Sequence, residues 1–163
     1  MVHFKDLNTF EVAYLEAIAN TTPLGEHYHN FEGMEPNHTP IDAGLKLENL
    51  FDQSTLDHCH AECIGFLSML ACQTYSKDFI AKAPYLYGSI GSWIASQLLI
   101  DTTVTPIEYL GAEFWFTRKI FLSRLDPSQW AALAYPRLDA IANGYPTLHA
   151  YFDGTHIQVR KSE

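Results

Sequence analysis

The sequence predicts an all-α fold, a helical bundle around one central buried helix at about residues 106–125. Helix-start signatures recur along the chain, and the apolar residues after them keep the spacing of one helix face. Strand patterns are weak. Only residues 156–160 alternate between apolar and polar side chains, as a short terminal strand or an extended tail would.

The length of 163 residues fits a single domain with one hydrophobic core. We expect this domain to occupy residues 1–163, with a variable N-terminal part at 1–53 and a helical core at 54–153. The remaining residues, 154–163, are predicted to form a tail.

Short capping signatures mark the predicted helix starts. Each combines a side chain that can accept hydrogen bonds from free backbone N–H groups with an acidic or amide residue three positions later. These signatures begin at Asn8, Thr39, Ser54, Thr105 and Asp126. The signature at Thr105 also places a proline at the first helical position, where its missing N–H costs nothing.

The predicted central helix is apolar around most of its circumference, which is typical of a helix in the middle of a bundle. We expect the large aromatic side chains of this part of the chain to lie in the core rather than around a cofactor. They are Trp93, Phe114, Trp115, Phe116, Phe121 and Trp130.

Composition excludes two classes of protein. The formal net charge is −9, and the 10 Lys and Arg residues are scattered singly apart from the pairs Arg118-Lys119 and Arg160-Lys161, so direct binding to nucleic-acid phosphates is not expected. No apolar stretch is long enough to span a membrane, and the start of the chain lacks the pattern of a secretory signal. The three cysteines, Cys59, Cys63 and Cys72, are expected to be reduced thiols in a cytoplasmic protein.

Four features of the second half point to a known family. Thr105–Glu108 opens the apolar central helix, and Val104 and Tyr109 flank it as a hydrophobic staple would. Tyr75–Phe79 has the composition of an interhelical turn, and residues 135–138 and 145–151 form a closing run of aromatic, proline and leucine residues. In these features residues 54–153 resemble the all-helical C-terminal domain of the glutathione transferase superfamily.

The resemblance implies a non-catalytic function. Only about 50 residues precede the helical part, and they lack the strand-proline-strand pattern and the early Tyr, Ser or Cys with which transferases bind and activate glutathione. The resemblance is therefore to the family's docking modules in aminoacyl-tRNA synthetase complexes and elongation-factor subunits. It implies a protein–protein interaction module without a cofactor, which binds a protein partner or forms a homo-oligomer.

A histidine cluster suggests a different function. Five of the eight histidines fall between positions 27 and 60, and three of these lie in a long loop of Gly, Pro, Asn and His residues near 23–39 that is a candidate functional segment. The candidate ligands are His27, His29, His58, His60 and Glu62. His58 and Glu62 are four residues apart and share one helix face.

Imidazole and carboxylate donors of this kind suit zinc or another first-row transition metal. The alternative function is therefore a metal-dependent enzyme or a metal-binding protein. His58 and His60 would point about 200° apart on a helix, however, so the pattern is equally typical of surface or capping histidines.

Cys59 offers an enzymatic interpretation of another kind. It lies between two histidines near a predicted helix start, where the positive end of the helix would lower the pKa of its thiol. The other interpretation is a helix cysteine packed as a small apolar residue. Whether the chain is an enzyme stays open, since no phosphate-binding loop or Gly-x-Ser-x-Gly motif completes a catalytic signature.

Overall fold

A computed structural model describes residues 1–74, 111, 112, 114–116, 118 and 144–161, without the side chains of residues 70–74. Its regular elements are two α-helices, α1 at Thr9–Asn20 and α2 at Gln53–Thr74, and two strands, β1 at Leu148–Phe152 and β2 at Ile157–Lys161. Short 3₁₀ helices occur at Phe4–Asp6, Gly25–Asn30 and Leu47–Asn49.

The two strands form an antiparallel hairpin, so the fold is mixed α and β and the prediction of an all-α bundle is wrong. Residues 157–161 form the second strand, which is one of the two alternatives predicted for residues 156–160, and it pairs from Leu148↔Lys161 to Phe152↔Ile157. Gly154 makes the turn possible because its φ of +102° is readily adopted only by glycine. The Oδ1 atom of Asp153 accepts hydrogen bonds from the N–H groups of residues 155 and 156 and thereby closes the turn.

Helix α1 begins with the predicted capping box. Glu11 N–H donates to Asn8 Oδ1 at 2.9 Å, and Asn8 N–H donates to Glu11 Oε2 at 2.8 Å. The predicted apolar face is buried, with Phe10, Tyr14 and Ile18 at 1% exposure or less. Both halves of the sequence prediction for this helix are confirmed.

Helix α2 begins earlier than the signature at Ser54 predicts. Asp52 is the cap, because its Oδ1 accepts a hydrogen bond from Thr55 N–H at 2.8 Å and its carbonyl accepts one from Leu56 N–H at 2.9 Å. A carboxylate is a good cap here because it accepts this bond and faces the positive end of the helix.

Two other groups of predicted helix starts have different outcomes. Thr39 and Asp42 form reciprocal hydrogen bonds of 3.2 and 2.9 Å, but these close a turn rather than open a helix. The starts predicted at Thr105 and Asp126 lie outside the described residues.

The described part of the predicted central helix, residues 111, 112, 114–116 and 118, is helical and packs against α1. A Cβ atom on Gly111 would lie 2.3 Å from the carbonyl oxygen of Phe10, so a side chain there would prevent this close approach. Phe114 and Trp115 are fully buried, as predicted, and Phe114 stacks on Phe66 of α2 with ring centroids 4.3 Å apart.

The other aromatic residues expected in the core have two outcomes. Phe116 is partly buried against the core cluster. Trp93, Phe121 and Trp130, and the rest of residues 106–125, lie outside the described part of the chain.

The loop predicted near 23–39 is ordered and includes the 3₁₀ helix Gly25–Asn30. Its ends are joined by backbone hydrogen bonds from Leu24 N–H to the carbonyl of His38 at 2.7 Å and from Gly25 N–H to that of Pro36 at 3.0 Å. Among the described residues, no helix is both long and apolar enough to cross a membrane.

Candidate functional site

Arg118 is a fully buried cation at the meeting point of α1, α2 and the chain before β1. Its Nη1 forms an ion pair with Glu62 Oε2 of α2 and donates to the hydroxyl of Tyr14 on α1 at 3.1 Å. Its Nε and Nη2 donate to the carbonyl of Pro146 at 3.2 and 3.1 Å. The guanidinium also lies 5.2 Å from the ring centroid of Tyr145, so one side chain links three parts of the fold.

Glu62 connects this buried arginine to the surface. While its Oε2 pairs with Arg118, its Oε1 lies 2.6 Å from Nε2 of His58, one turn earlier on α2. His58 is half exposed, so the chain of contacts runs from a solvent-facing imidazole to a guanidinium that water does not reach. The predicted His58–Glu62 pair on one helix face therefore exists, but Glu62 is already shared with a cation.

A second histidine–carboxylate pair joins the two long helices. His60 Nδ1 of α2 contacts Glu11 Oε1 of α1, and Glu11 is buried. The other oxygen of Glu11 accepts the capping hydrogen bond from Asn8 N–H. Glu11 therefore holds the start of α1 and the second turn of α2 together. We refer to Glu11, Tyr14, His58, His60, Glu62 and Arg118 as the buried polar network.

The nucleophilic side chains beside this network are held in their protonated forms. Burial raises the pKa of the Cys59 thiol to about 12, with the nearby Glu62 carboxylate acting in the same direction. Burial likewise raises the pKa of Cys63 and of the Tyr14 phenol well above their ordinary values. Of the two interpretations of Cys59, the buried helix cysteine agrees with the structure and the lowered thiol pKa does not, because the residue lies beyond the first turn of α2 and away from water. Cys59 and Cys63 are free thiols, as predicted.

His27 and His29 lie in a different environment from the histidines of α2. The ring of His27 meets Phe152 of β1 edge-on at 5.8 Å, and a Cβ on Gly154 would lie only 3.1 Å from its Nδ1. The His29 ring contacts the neighbouring Tyr28 ring, with centroids 4.0 Å apart and an interplanar angle of 43°. His27 thus packs the 3₁₀ helix Gly25–Asn30 against the hairpin.

The five candidate metal ligands therefore occur in separate sets of contacts. The structure brings His58 to Glu62 and His60 to Glu11, and it places His27 and His29 in other contacts. Within the described residues, no group of three or more His, Cys, Asp and Glu side chains is arranged to hold a metal ion. The residue with the most extensive polar contacts is Arg118, which the sequence analysis did not single out. In the sequence it is visible only as part of the basic pair Arg118-Lys119, which follows the apolar run Phe114–Phe116.

The hairpin presents a second group of interacting side chains, on its solvent side. Leu148, Ala150 and Phe152 of β1 are buried, while the residues between them point to the opposite face. We refer to that opposite face, with His149, Tyr151, Gln158 and Arg160, as the hairpin outer face.

Three planar groups stack on the hairpin outer face. The Arg160 guanidinium lies 4.8 Å from the ring centroid of Tyr151, and the His149 ring is 6.2 Å from the Tyr151 ring at an interplanar angle of 19°. His149 and Arg160 are exposed and Tyr151 is partly exposed. These contacts hold the three side chains in one arrangement that solvent can reach.

Gln158 anchors the turn end of the same face. Its Nε2 donates to Asp52 Oδ2 and to Asp153 Oδ2, both at 3.0 Å. These two hydrogen bonds attach the hairpin to the start of α2, and they give each of the two carboxylates a hydrogen-bond donor. The open end of the face, near Arg160, carries the positive charge.

No protein-family model, curated protein or solved structure matches this chain.

Proposed function

We propose that this chain is a non-catalytic protein-binding module and that a protein partner docks on the hairpin outer face. The observation that carries the proposal is the solvent-facing stack of His149, Tyr151 and Arg160 on a hairpin whose other face is buried. Tyrosine and arginine are enriched among the residues that contribute most to the free energy of protein association. The resemblance to non-catalytic transferase-like modules leads to the same function.

The hairpin outer face is preorganised for binding because the hairpin is anchored to the core. Ile157 is fully buried, and its N–H donates to the carbonyl of Leu50 at 2.7 Å. The Tyr151 ring and the Arg160 guanidinium already restrict each other. A partner therefore immobilises fewer free rotamers on docking, which lowers the entropic cost of association.

The buried polar network is better suited to holding the helices together than to catalysis. A general base or nucleophile must reach its substrate. Arg118 and Glu11 are buried and bound to protein groups, and the thiols of Cys59 and Cys63 are protonated at neutral pH. These groups suit the attachment of helices to one another better than catalysis.

Site-specific photo-crosslinking tests the docking surface. A benzoylphenylalanine residue replaces Tyr151, and in a matched control it replaces Glu48, an exposed residue of the 3₁₀ helix Leu47–Asn49. Irradiation in cells that make the chain should give one discrete protein adduct at position 151, or a covalent dimer of the chain, and none at position 48. Equal adducts at both positions, or none at position 151, would refute the proposal.

A metal-dependent function remains the second candidate, and one observation favours it. His58 and His60 each contact a carboxylate, and metal-binding histidines are usually oriented in this way. Elemental analysis of protein purified without chelator separates the two functions. The protein-binding proposal predicts a metal content well below one equivalent per chain. One equivalent of zinc, iron or manganese that disappears in His58→Ala or His60→Ala would establish the metal function instead.

A further inference from the structure

We infer that the segment docking on the hairpin outer face is acidic and extended, with a carboxylate that pairs with Arg160. This inference rests on the proposed function and names the chemistry of the partner. It follows from the charges at the open end of the hairpin, from the geometry of Arg160 and from the free edge of β2.

The open end of the hairpin is cationic in an acidic chain. The formal net charge is −9, yet Arg160 and Lys161 are adjacent and exposed, and His149 lies directly opposite Arg160 in the strand register. The nearby carboxylates of Asp52 and Asp153 lie at the other end and already accept hydrogen bonds. In the part of the chain that the structure describes, no carboxylate forms an ion pair with Arg160 or Lys161.

The geometry of Arg160 suits a carboxylate better than another ligand group. Its guanidinium carbon lies 4.8 Å from the centroid of the Tyr151 ring, and among the described residues no carboxylate pairs with its N–H groups. A planar guanidinium forms two parallel hydrogen bonds with one carboxylate. Because the ring already positions the guanidinium, less rotamer entropy is lost when that pair forms.

The edge of β2 explains why the segment should be extended. Ile157 N–H points away from β1 to the carbonyl of Leu50, so the N–H groups of Val159 and Lys161 point in the same direction. Neither has a backbone partner outside the hairpin among the described residues. An extended segment can pair with this edge, and its alternate side chains then fall on the same side as Arg160.

A pair of synthetic peptides tests this inference. The probe is fluorescein-labelled Glu-Val-Glu-Tyr-Glu-Val-Glu with blocked ends, and its control replaces every Glu with Gln. Fluorescence anisotropy at low ionic strength should show the acidic peptide binding about threefold more tightly, since one exposed charge pair contributes roughly that factor. The difference should shrink at high salt because exposed charges are screened.

Matched variants assign the binding to the hairpin. Arg160→Gln combined with Lys161→Gln should remove the preference for the acidic peptide, while Lys46→Gln, at an exposed lysine elsewhere, should leave it intact. Thermal unfolding checks that each variant folds. Equal affinity for the two peptides, or a preference that survives the double substitution, would overturn the inference.

The failures of the two proposals are distinguishable. If Tyr151 crosslinks a protein but the acidic peptide has no advantage, the docking surface stands and only the acidic partner is wrong. If position 151 gives no adduct, the proposed function itself fails. A single-stranded oligonucleotide that displaces the acidic peptide at lower concentration than unlabelled acidic peptide does would replace the protein partner with a nucleic acid and also overturn the inference.

Discussion

Arg118 and Arg160 make the same kind of contact in opposite surroundings. Each guanidinium lies over a tyrosine ring, at 5.2 Å from Tyr145 for Arg118 and at 4.8 Å from Tyr151 for Arg160. Arg118 is buried and its donors are bound to Glu62, a hydroxyl and a carbonyl, whereas Arg160 is exposed with no carboxylate beside it among the described residues. The same arginine chemistry therefore does not decide what each side chain does. What decides it is whether the fold already satisfies its donors.

The largest expected effect comes from replacing the buried arginine, Arg118. Arg118→Met should lower the free energy of unfolding by about 3–5 kcal/mol, because it leaves the Glu62 carboxylate buried without its cation. Arg160→Met should change it by less than about 0.5 kcal/mol, as is usual for an exposed site. Urea denaturation monitored by circular dichroism measures both. The double variant Arg118→Met with Glu62→Gln should recover part of the loss, and no recovery would count against the ion pair as the cause.

A smaller effect is expected when Arg118 loses one neutral partner. Tyr14→Phe removes the hydroxyl that accepts from Nη1 while keeping the buried ring that packs on Phe114. A buried donor left without its acceptor costs about 1–3 kcal/mol, measured by the same denaturation. Tyr151→Phe is the matched control on the hairpin and should leave the free energy of unfolding nearly unchanged. A loss as large in the control as in Tyr14→Phe would show that the two regions are not different in the way described.

The smallest effect concerns Asp52, which joins the two regions because it caps α2 and binds Gln158 of the hairpin. Hydrogen bonds from Thr55 N–H and from the Gln158 amide lower the pKa of this carboxyl below its ordinary value of 3.8. A lowered folded-state pKa contributes stability above the unfolded value, and that contribution is lost as the pH falls through the folded value.

The measurement for Asp52 is the pH dependence of unfolding. Asn can also cap a helix, so Asp52→Asn removes the titration while keeping a cap. Between neutral pH and about pH 3 the variant should lose less stability than the unsubstituted chain, and at neutral pH it should be the less stable of the two. Parallel pH profiles for the two proteins would exclude Asp52 as a contributor.

The parts of the fold that sequence predicts correctly are those that depend on neighbours along the chain. The capping box of Asn8 and Glu11 needs only two residues three positions apart, so its pattern was sufficient. At the start of α2 two candidate caps, Asp52 and Ser54, lie two residues apart, and the preference for Asp52 depends partly on Gln158, which is 106 residues away. Local pattern alone does not reveal that contact.

The alternation at residues 156–160 allows a strand but does not predict β1 or the hairpin, although the signal for the hairpin is local. Asp153-Gly154 stands between two alternating runs, which is a strong hairpin signature. The residues just before it were assigned to the closing part of a helical domain because they resemble that family's run of proline and aromatic residues. The alternation of buried and exposed residues along β1 contradicts that assignment.

The candidate site was predictable only in part. The pairing of His58 with Glu62 follows from helical spacing, but the contacts of Glu11 with His60 and of Glu62 with Arg118 join residues from distant parts of the sequence. Spacing predicts which side chains share a helix face, and it contains no information about the other helix that the face meets. The stack on the hairpin outer face also required the strand register, which the all-α prediction precluded.

Hydrogen–deuterium exchange of the chain with and without saturating acidic peptide tests the central claim most directly. The N–H groups of Val159 and Lys161 point out of the hairpin, so a docked segment should slow exchange at these two residues and leave the amides of α1 and of the loop near 23–39 unchanged. This localised protection is the result that the docking surface predicts. Protection confined to Gly25–Asn30 or to the helices, or no protection at peptide concentrations that saturate the anisotropy signal, would contradict the assignment of the hairpin as the binding surface.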